Sequence, residues 1–223
     1  MTALTRLNDR TSQQPGRLVG AATSPLRQNA RVAVWGVKGG VGTTTVSLLA
    51  GLALARHQPG PIVVADESLY GSLALRAGTV LPAEPFVAPG SPMEPAIVVG
   101  QPAPLWTVLT LLDAPAVGTN ADADLIVVSA TVDAVLMAAG HDAQLVVMTE
   151  LTPKPPIDTV AATRRLGDRV IAMPFDPHLA TGGPVSWDRL QPATRDAARR
   201  LAAELITTLR ERVPLHSHET ELP

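Results

Sequence analysis

The residues with the most chemical potential stand together in the string GVKGGVGTTT at positions 36–45. It holds Gly36, Gly39, Gly40 and Gly42, one lysine, Lys38, and three consecutive hydroxyls, Thr43, Thr44 and Thr45. Glycines let backbone N–H groups come close to an anion. A helix that starts directly after such a turn adds unpartnered N–H groups and the positive end of its dipole. The chemistry this points to is the cradling of phosphate. Two carboxylates further along, Asp66 and Asp113, each close an apolar run. A carboxylate at the C-terminal end of a central strand lies where open α/β sheets bind ligands. An empty glycine turn, and an Asp66 that only caps a helix, are the plain alternatives.

Holding these groups in place requires strands and helices in alternation. Val32–Trp35 is an apolar run of buried-strand length, and Val46, Leu49, Ala50, Ala53 and Leu54 follow the glycines at helical spacing. Further runs at 62–65, 96–99, 105–112, 125–129, 145–148 and 170–173 read as strands, and 132–139, 158–166 and 192–212 as helices. The last helix carries an apolar stripe from Ala197 to Val213 with arginines on its other surface. That pattern reads as core packing with a solvated face, and a membrane-surface helix is the alternative. Residues 77–104 hold seven prolines and form an irregular connection around the short strand at 96–99. The alternation predicts an α/β fold, a mostly parallel central sheet flanked by helices on both faces.

The chain has 223 residues, which suits one domain, here 31–213, after a polar and mildly basic arm, 1–30, and before a short polar tail, 214–223. Residues 1–30 read as a disordered arm. Hydrophobic residues make up 46% and aromatics only 3%, so the core must be aliphatic. A net charge of −2 argues against strong generic attraction to nucleic acid, leaving only a local patch from arginines of the arm and last helix. The absence of cysteine rules out disulfides and thiolate chemistry and fits a reducing cytosol. No apolar stretch is long enough to span a membrane, and the N-terminus lacks the apolar segment of a secretory signal.

The P-loop pattern G-x-x-x-x-G-K-[ST] is met at Gly42 and Thr44, but Val37 stands at its first glycine and Thr43 at its lysine. Lys38 comes early in the loop instead. That placement resembles the deviant Walker A loop of the ParA/MinD family of P-loop ATPases. Asp66 in ADESLYGSL resembles the family's first switch segment, Asp113-Ala114-Pro115 its Walker B and second switch, and Pro174-Phe175-Asp176 the loop that packs on adenine. The resemblance covers about Arg31 to Arg212.

The resemblance implies that ATP is bound by Lys38, Gly39, Gly40, Val41, Gly42, Thr43, Thr44 and Thr45, with Pro174 and Asp176 beside the base. It implies Mg2+ held by Thr44, Asp66 and Asp113, and a catalytic role for Lys38 and Asp66, Lys38 reaching across a homodimer to the partner's nucleotide. Three positions depart from the family. Thr43 offers a hydroxyl and no cation. Ser68 stands at the water-orienting acid, and serine cannot act as a carboxylate base. Thr149 and Glu150 stand where relatives often read adenine with asparagine. The expected protein is therefore a cytoplasmic, ATP-dependent dimeric positioning factor, a weak or inactive ATPase that recruits a protein partner. The KGGVGTTT form also resembles loops of the TadZ/CpaE pilus-assembly branch. An active partition ATPase that binds DNA and a nucleotide-free pseudo-ATPase are the alternatives. The acidic tail, with His216 and His218, does not match a MinD-type membrane anchor.

Overall fold

The computed structural model describes residues 20–24, 26, 29–58, 60–67, 72–78, 96–99, 107–114, 120–167 and 169–212. Most of the N-terminal arm, the proline-rich stretch apart from one strand, Ser68, Pro115 and the tail lie outside the described residues. In chain order the elements are β1 (Ala30–Gly36), α1 (Thr43–Ala55), β2 (Ile62–Asp66), α2 (Ser72–Ala77), β3 (Ala96–Val99), β4 (Leu109–Asp113) and β5 (Ala123–Ser129). Then follow α3 (Val132–Ala138), β6 (Leu145–Thr149), α4 (Thr159–Leu166), β7 (Val170–Met173), α5 (Pro177–Ala180), a 3-10 turn (Trp187–Arg189) and α6 (Pro192–Arg212).

Among the described residues the strands form one seven-stranded sheet in the order β3-β2-β4-β1-β5-β6-β7, and every adjacent pair runs parallel. Such a sheet must be covered on both faces, which explains why its strands are continuously apolar rather than alternating. Successive residues serve opposite layers. Val32, Val34, Leu125 and Val127 face one layer with α1 and α6. Ala33, Trp35, Ile126 and Val128 face the other with α3 and α4. With few aromatics to fill space, small residues let the helices approach: Ala50 and Ala53 of α1 and Ala198 and Ala202 of α6 are fully buried.

The apolar stripe of α6 is spent inside the protein. Ala197, Ala198, Leu201, Ala202, Leu205, Ile206 and Leu209 all lie in the core, so this helix has no free apolar face for a lipid surface, and Val213 lies outside the described residues. No helix among the described residues is long and apolar enough to cross a membrane. Several of the arginines are engaged as well. Arg199 donates to Asp196 at 2.8 Å, and Arg169, before β7, donates to Glu211 at 2.8 Å. Arg56 and Arg199 also lie over the Trp187 ring, 4.6 and 5.8 Å from its centre.

One strand differs from its sequence reading. The run 105–112 enters the sheet only at Leu109 and extends to Asp113. The Val108 N–H is taken by the Pro61 carbonyl at 3.0 Å, ahead of β2, and Thr107 shares a hydroxyl contact with Thr110. Backbone bonds continue just ahead of the strand, the Ala30 N–H reaching the Val108 carbonyl at 3.2 Å, and Leu105 and Trp106 lie outside the described residues.

Leu201 is fully buried in the layer between α6, α1 and the sheet. Its replacement by alanine is expected to cost about 2–5 kcal/mol, measured by urea unfolding. A cost below about 1 kcal/mol would contradict this packing of α6.

Candidate functional site

The central strand β1 ends at Gly36, and the chain must turn sharply to start α1 at Thr43. Gly36 cannot carry a side chain: a Cβ there would lie 2.5 Å from Thr43 Oγ1 and 2.6 Å from Val41 Cγ2. At the other end of the loop Gly42 occupies the N-cap position of α1 with φ 93°, a left-handed conformation that favours glycine. It provides no side-chain acceptor, whereas α4 and α5 are capped by Asp158 and Asp176. The first N–H groups of a helix have no intrahelical partner. At α1 those of Thr43, Thr44 and Thr45 therefore face the loop's hollow without a capping side chain. The loop itself is held from below. Val41 is buried, and the Thr149 hydroxyl, at the end of β6, donates to the Val41 carbonyl at 2.7 Å.

Opposite this turn stand the two acids. β2 and β4 are in register with Asp66 beside Asp113, and both side chains are buried. Asp66 accepts from the Leu73 N–H of α2 at 3.1 Å, so the helix-capping role is present. Ser47 of α1 donates to Asp113 at 3.4 Å. Burial pushes the Asp113 carboxyl up to about 6, and the neighbouring Asp66 charge adds to the rise, against hydrogen bonds from Thr44 and Ser47. Thr44 Oγ1 also lies 3.4 Å from Ser72 Oγ.

These oxygens fit magnesium. A hydroxyl and a buried carboxylate crowded by a second carboxylate make a hard donor set, one that a dication would relieve of its repulsion. Among the described residues no group of three or more acids, histidines or cysteines could hold a metal ion by itself. Magnesium suits such a sparse set because it usually keeps waters and shares substrate phosphates.

Two hollows open around the first turn of α1. The larger, about 720 Å³, runs along the glycine loop past Thr44 and Asp113. A smaller one, about 100 Å³, is more apolar and is walled by Leu49, Leu151, Met173, Pro174 and Phe175, with Glu150 at its edge. Burial raises the Glu150 pKa above its ordinary value, opposed by the Phe175 N–H. A flat, mostly apolar ring suits the second hollow and a phosphate chain the first.

Of the residues read from the sequence, Gly39, Gly40, Thr43 and Thr44 line the larger hollow and Pro174 the smaller one, while Gly42 and Thr45 line both. Asp113 stands at the floor with Asp66 beside it in the sheet. Asp176 also lines the smaller hollow, but its carboxylate is engaged by backbone, accepting from His178 N at 2.9 Å and Gln191 N at 2.8 Å. It holds the loop that presents Pro174 and Phe175. Lys38 is at the exposed rim and forms an ion pair with Asp133 of α3. The Lys38 hydrogen bond, chiefly, holds the Asp133 carboxyl far below the usual range. The sequence reading passed over Arg76, Ser47 and Asp133. Spacing carried a signal for the first: Ser72 and Arg76 are four apart, on one face of α2, and both line the larger hollow.

A parallel sheet whose central strand feeds an open glycine loop and an uncapped helix, with acids ending the neighbouring strands, has the architecture of a P-loop nucleotide-binding domain. The solved structures it resembles agree. The cell-division ATPase MinD of Pyrococcus furiosus superposes with a TM-score of 0.60 at 17% identity, over 80% of this chain and 98% of that one. A chain of the MinC:MinD cell-division complex of Aquifex aeolicus gives 0.58 at 18%, over 83% and 98%. A plasmid partition-type protein of Borrelia burgdorferi bound to AMPPNP gives 0.53 at 10%, over 81% and 100%. The chain thus has the fold of the MinD and ParA ATPases. No protein-family model and no curated protein sequence matches it.

The raised Asp113 pKa links the ligand-free site to pH. The folded chain holds a proton on Asp113 at pH values where the unfolded chain has released it. That stabilisation is full below about pH 4 and is lost as pH climbs through 6, roughly 3 kcal/mol in all. Denaturant unfolding of the protein without nucleotide, at pH 4 and pH 7.5, is expected to show this loss relative to Asp113→Asn. Parallel pH dependence in the two proteins would contradict it.

Proposed function

We propose that the chain is a magnesium-dependent nucleotide-binding protein of the MinD/ParA kind. In this reading it hydrolyses ATP slowly or not at all and acts as a nucleotide-gated dimer that recruits a protein partner. The observation that carries the reading is the uncapped first turn of α1, opened by Gly36 and Gly42 and facing Asp113, with neutral Thr43 where the P-loop pattern has its lysine. Backbone N–H groups of residues 43–45 hold phosphate oxygens, and Thr44 and Asp113 hold Mg2+, with Asp66 behind them. Bound magnesium supplies charge neutralisation for the phosphates. Pro174 and Phe175 receive the base.

A P-loop lysine normally neutralises the phosphates on which charge develops during transfer, and a threonine hydroxyl does this less well. Slow turnover follows from that difference. The dimer reading draws on Lys38. It sits exposed beside α3, where Val132, Leu136 and Met137 are also exposed, and a second copy of the chain would cover this face. The Lys38–Asp133 pair is a surface pair of small worth, so exchanging Asp133 for a partner's phosphate is inexpensive. The DNA-partition reading depends on free arginines, and Arg199 of α6 and Arg169 beside it are engaged with acids.

Thermal unfolding with and without Mg-ATP tests binding. A ligand at a hundred times its Kd is expected to add about 2.7 kcal/mol, a rise in Tm of roughly 5–10 °C for a domain of this size. Turnover is expected to stay near the uncatalysed rate and to rise in Thr43→Lys. Light scattering is expected to show a dimer with Mg-ATP in the wild type and not in Lys38→Ala. An unchanged Tm with every nucleotide would reduce the reading to the fold alone, and brisk wild-type turnover would restore the active partition ATPase.

A further inference from the structure

Among the described residues three line both hollows: Gly42, Thr45 and Arg76. Of these Arg76 alone carries charge. It projects from α2 to the first turn of α1, where its Nη2 donates to Thr45 Oγ1 at 2.9 Å and to the Leu179 carbonyl at 3.2 Å. Its Nη1 donates to the Gly183 carbonyl at 2.7 Å. All three acceptors are neutral, and none of the ion pairs among the described residues includes Arg76. A guanidinium has five N–H donors, and these bonds use three.

The backbone holds this cation in place from both ends. The Arg76 carbonyl accepts from Val185 N at 2.7 Å. Just past α2, Gly78 turns left-handed with φ 74°, against Pro184. Arg76 therefore stands where α1, α2 and the segment 179–185 converge, at the junction between an apolar hollow and a phosphate-sized groove. In a nucleotide spanning the two, that junction holds the phosphate attached to the sugar. Lys38, the other basic chain lining the groove among the described residues besides His141, is at its outer rim and paired with Asp133. Half-burial without a counter-ion penalises the guanidinium charge, which lowers the Arg76 pKa below its ordinary value, and an anion at the junction would remove that penalty.

We propose that Arg76 is the phosphate-neutralising residue of the site, binding the phosphate nearest the sugar of a nucleoside di- or triphosphate and replacing part of the charge that Thr43 does not supply. The inference rests on the nucleotide-binding reading above. Arginine suits the task because its planar fork can keep Thr45 and the two carbonyls while offering its remaining N–H groups to a phosphate. A purely structural clamp between α1 and residues 179–183 is the competing role, and the two differ in what a second cation can repair.

The experiment is calorimetric titration of Mg-ADP into wild type, Arg76→Gln, Arg76→Lys and the double variant Arg76→Gln/Thr43→Lys, each checked for folding by circular dichroism. Arg76→Gln is expected to weaken binding roughly 10- to 100-fold, the range for a lost charge-assisted contact. Arg76→Lys, which keeps the charge, is expected to lose distinctly less. Thr43→Lys touches neither Leu179 nor Gly183, yet is expected to restore most of the affinity lost in Arg76→Gln. Wild-type binding with Arg76→Gln within twofold of it would overturn the inference and leave nucleotide binding standing. So would a loss that Thr43→Lys does not relieve. If Arg76→Gln does not fold, Arg76→Lys decides alone: a loss of tenfold or more with the charge retained assigns Arg76 to the clamp. Absence of Mg-ADP binding by the wild type would remove both readings together.

Discussion

How closely the chain doubles back between Gly36 and Thr43 governs everything at the mouth of the sheet. A methyl group at Gly36 would collide with Thr43 and Val41, so the approach of loop to helix exists only because that position is bare. The left-handed Gly42 then aims the helix start at the hollow while giving it no capping side chain. The Thr149–Val41 hydrogen bond fixes the loop to β6, and β6 is itself set by β5, the neighbour of β1. The N–H groups at the helix start are thus positioned by the sheet and not by a free loop, which is how a site keeps its shape before a ligand arrives.

The electrostatics of the mouth are divided by depth. The floor is acidic, with Asp66 and Asp113 side by side, and burial first, then the Asp66 charge, raises the pKa of Asp113. The walls are positive, from the helix end, Arg76 and, at the rim, Lys38. A polyanion accompanied by a dication satisfies both layers at once, the anion against the walls and the cation against the floor. Neither component satisfies both alone. The separation also explains why an isolated metal cluster is missing among the described residues.

Much of this was legible because the strands are buried on both faces. Runs such as 62–65 and 170–173 admit few other readings once helical repeats stand between them, and the strand 96–99 was readable despite its proline-rich surroundings. The order of the strands was not, since no local pattern says that β1 inserts between β4 and β5. The glycine loop and the acids were legible as residue types at strand ends. What escaped were the side chains whose meaning depends on distant partners. Arg76 reads as one polar residue in an apolar stretch until Leu179 and Gly183 are seen beside it. Asp176 reads as a ligand-facing acid until its carboxylate is seen holding His178 and Gln191. The helix α5 is too short to show a period at all, and its start is set by that same aspartate.

The place of β1 in the sheet bears on how the molecule comes into being. Its two neighbours, β4 and β5, begin at Leu109 and Ala123, so the strand that carries the glycine loop stays unpaired until synthesis has passed β4. Parallel pairings over such separations close slowly, because loop entropy is lost before contacts compensate. On a ribosome, β1 emerges well before the strands that flank it. The interval leaves an apolar strand without its partners, and such surface is what makes a nascent chain prone to aggregate or to engage a chaperone.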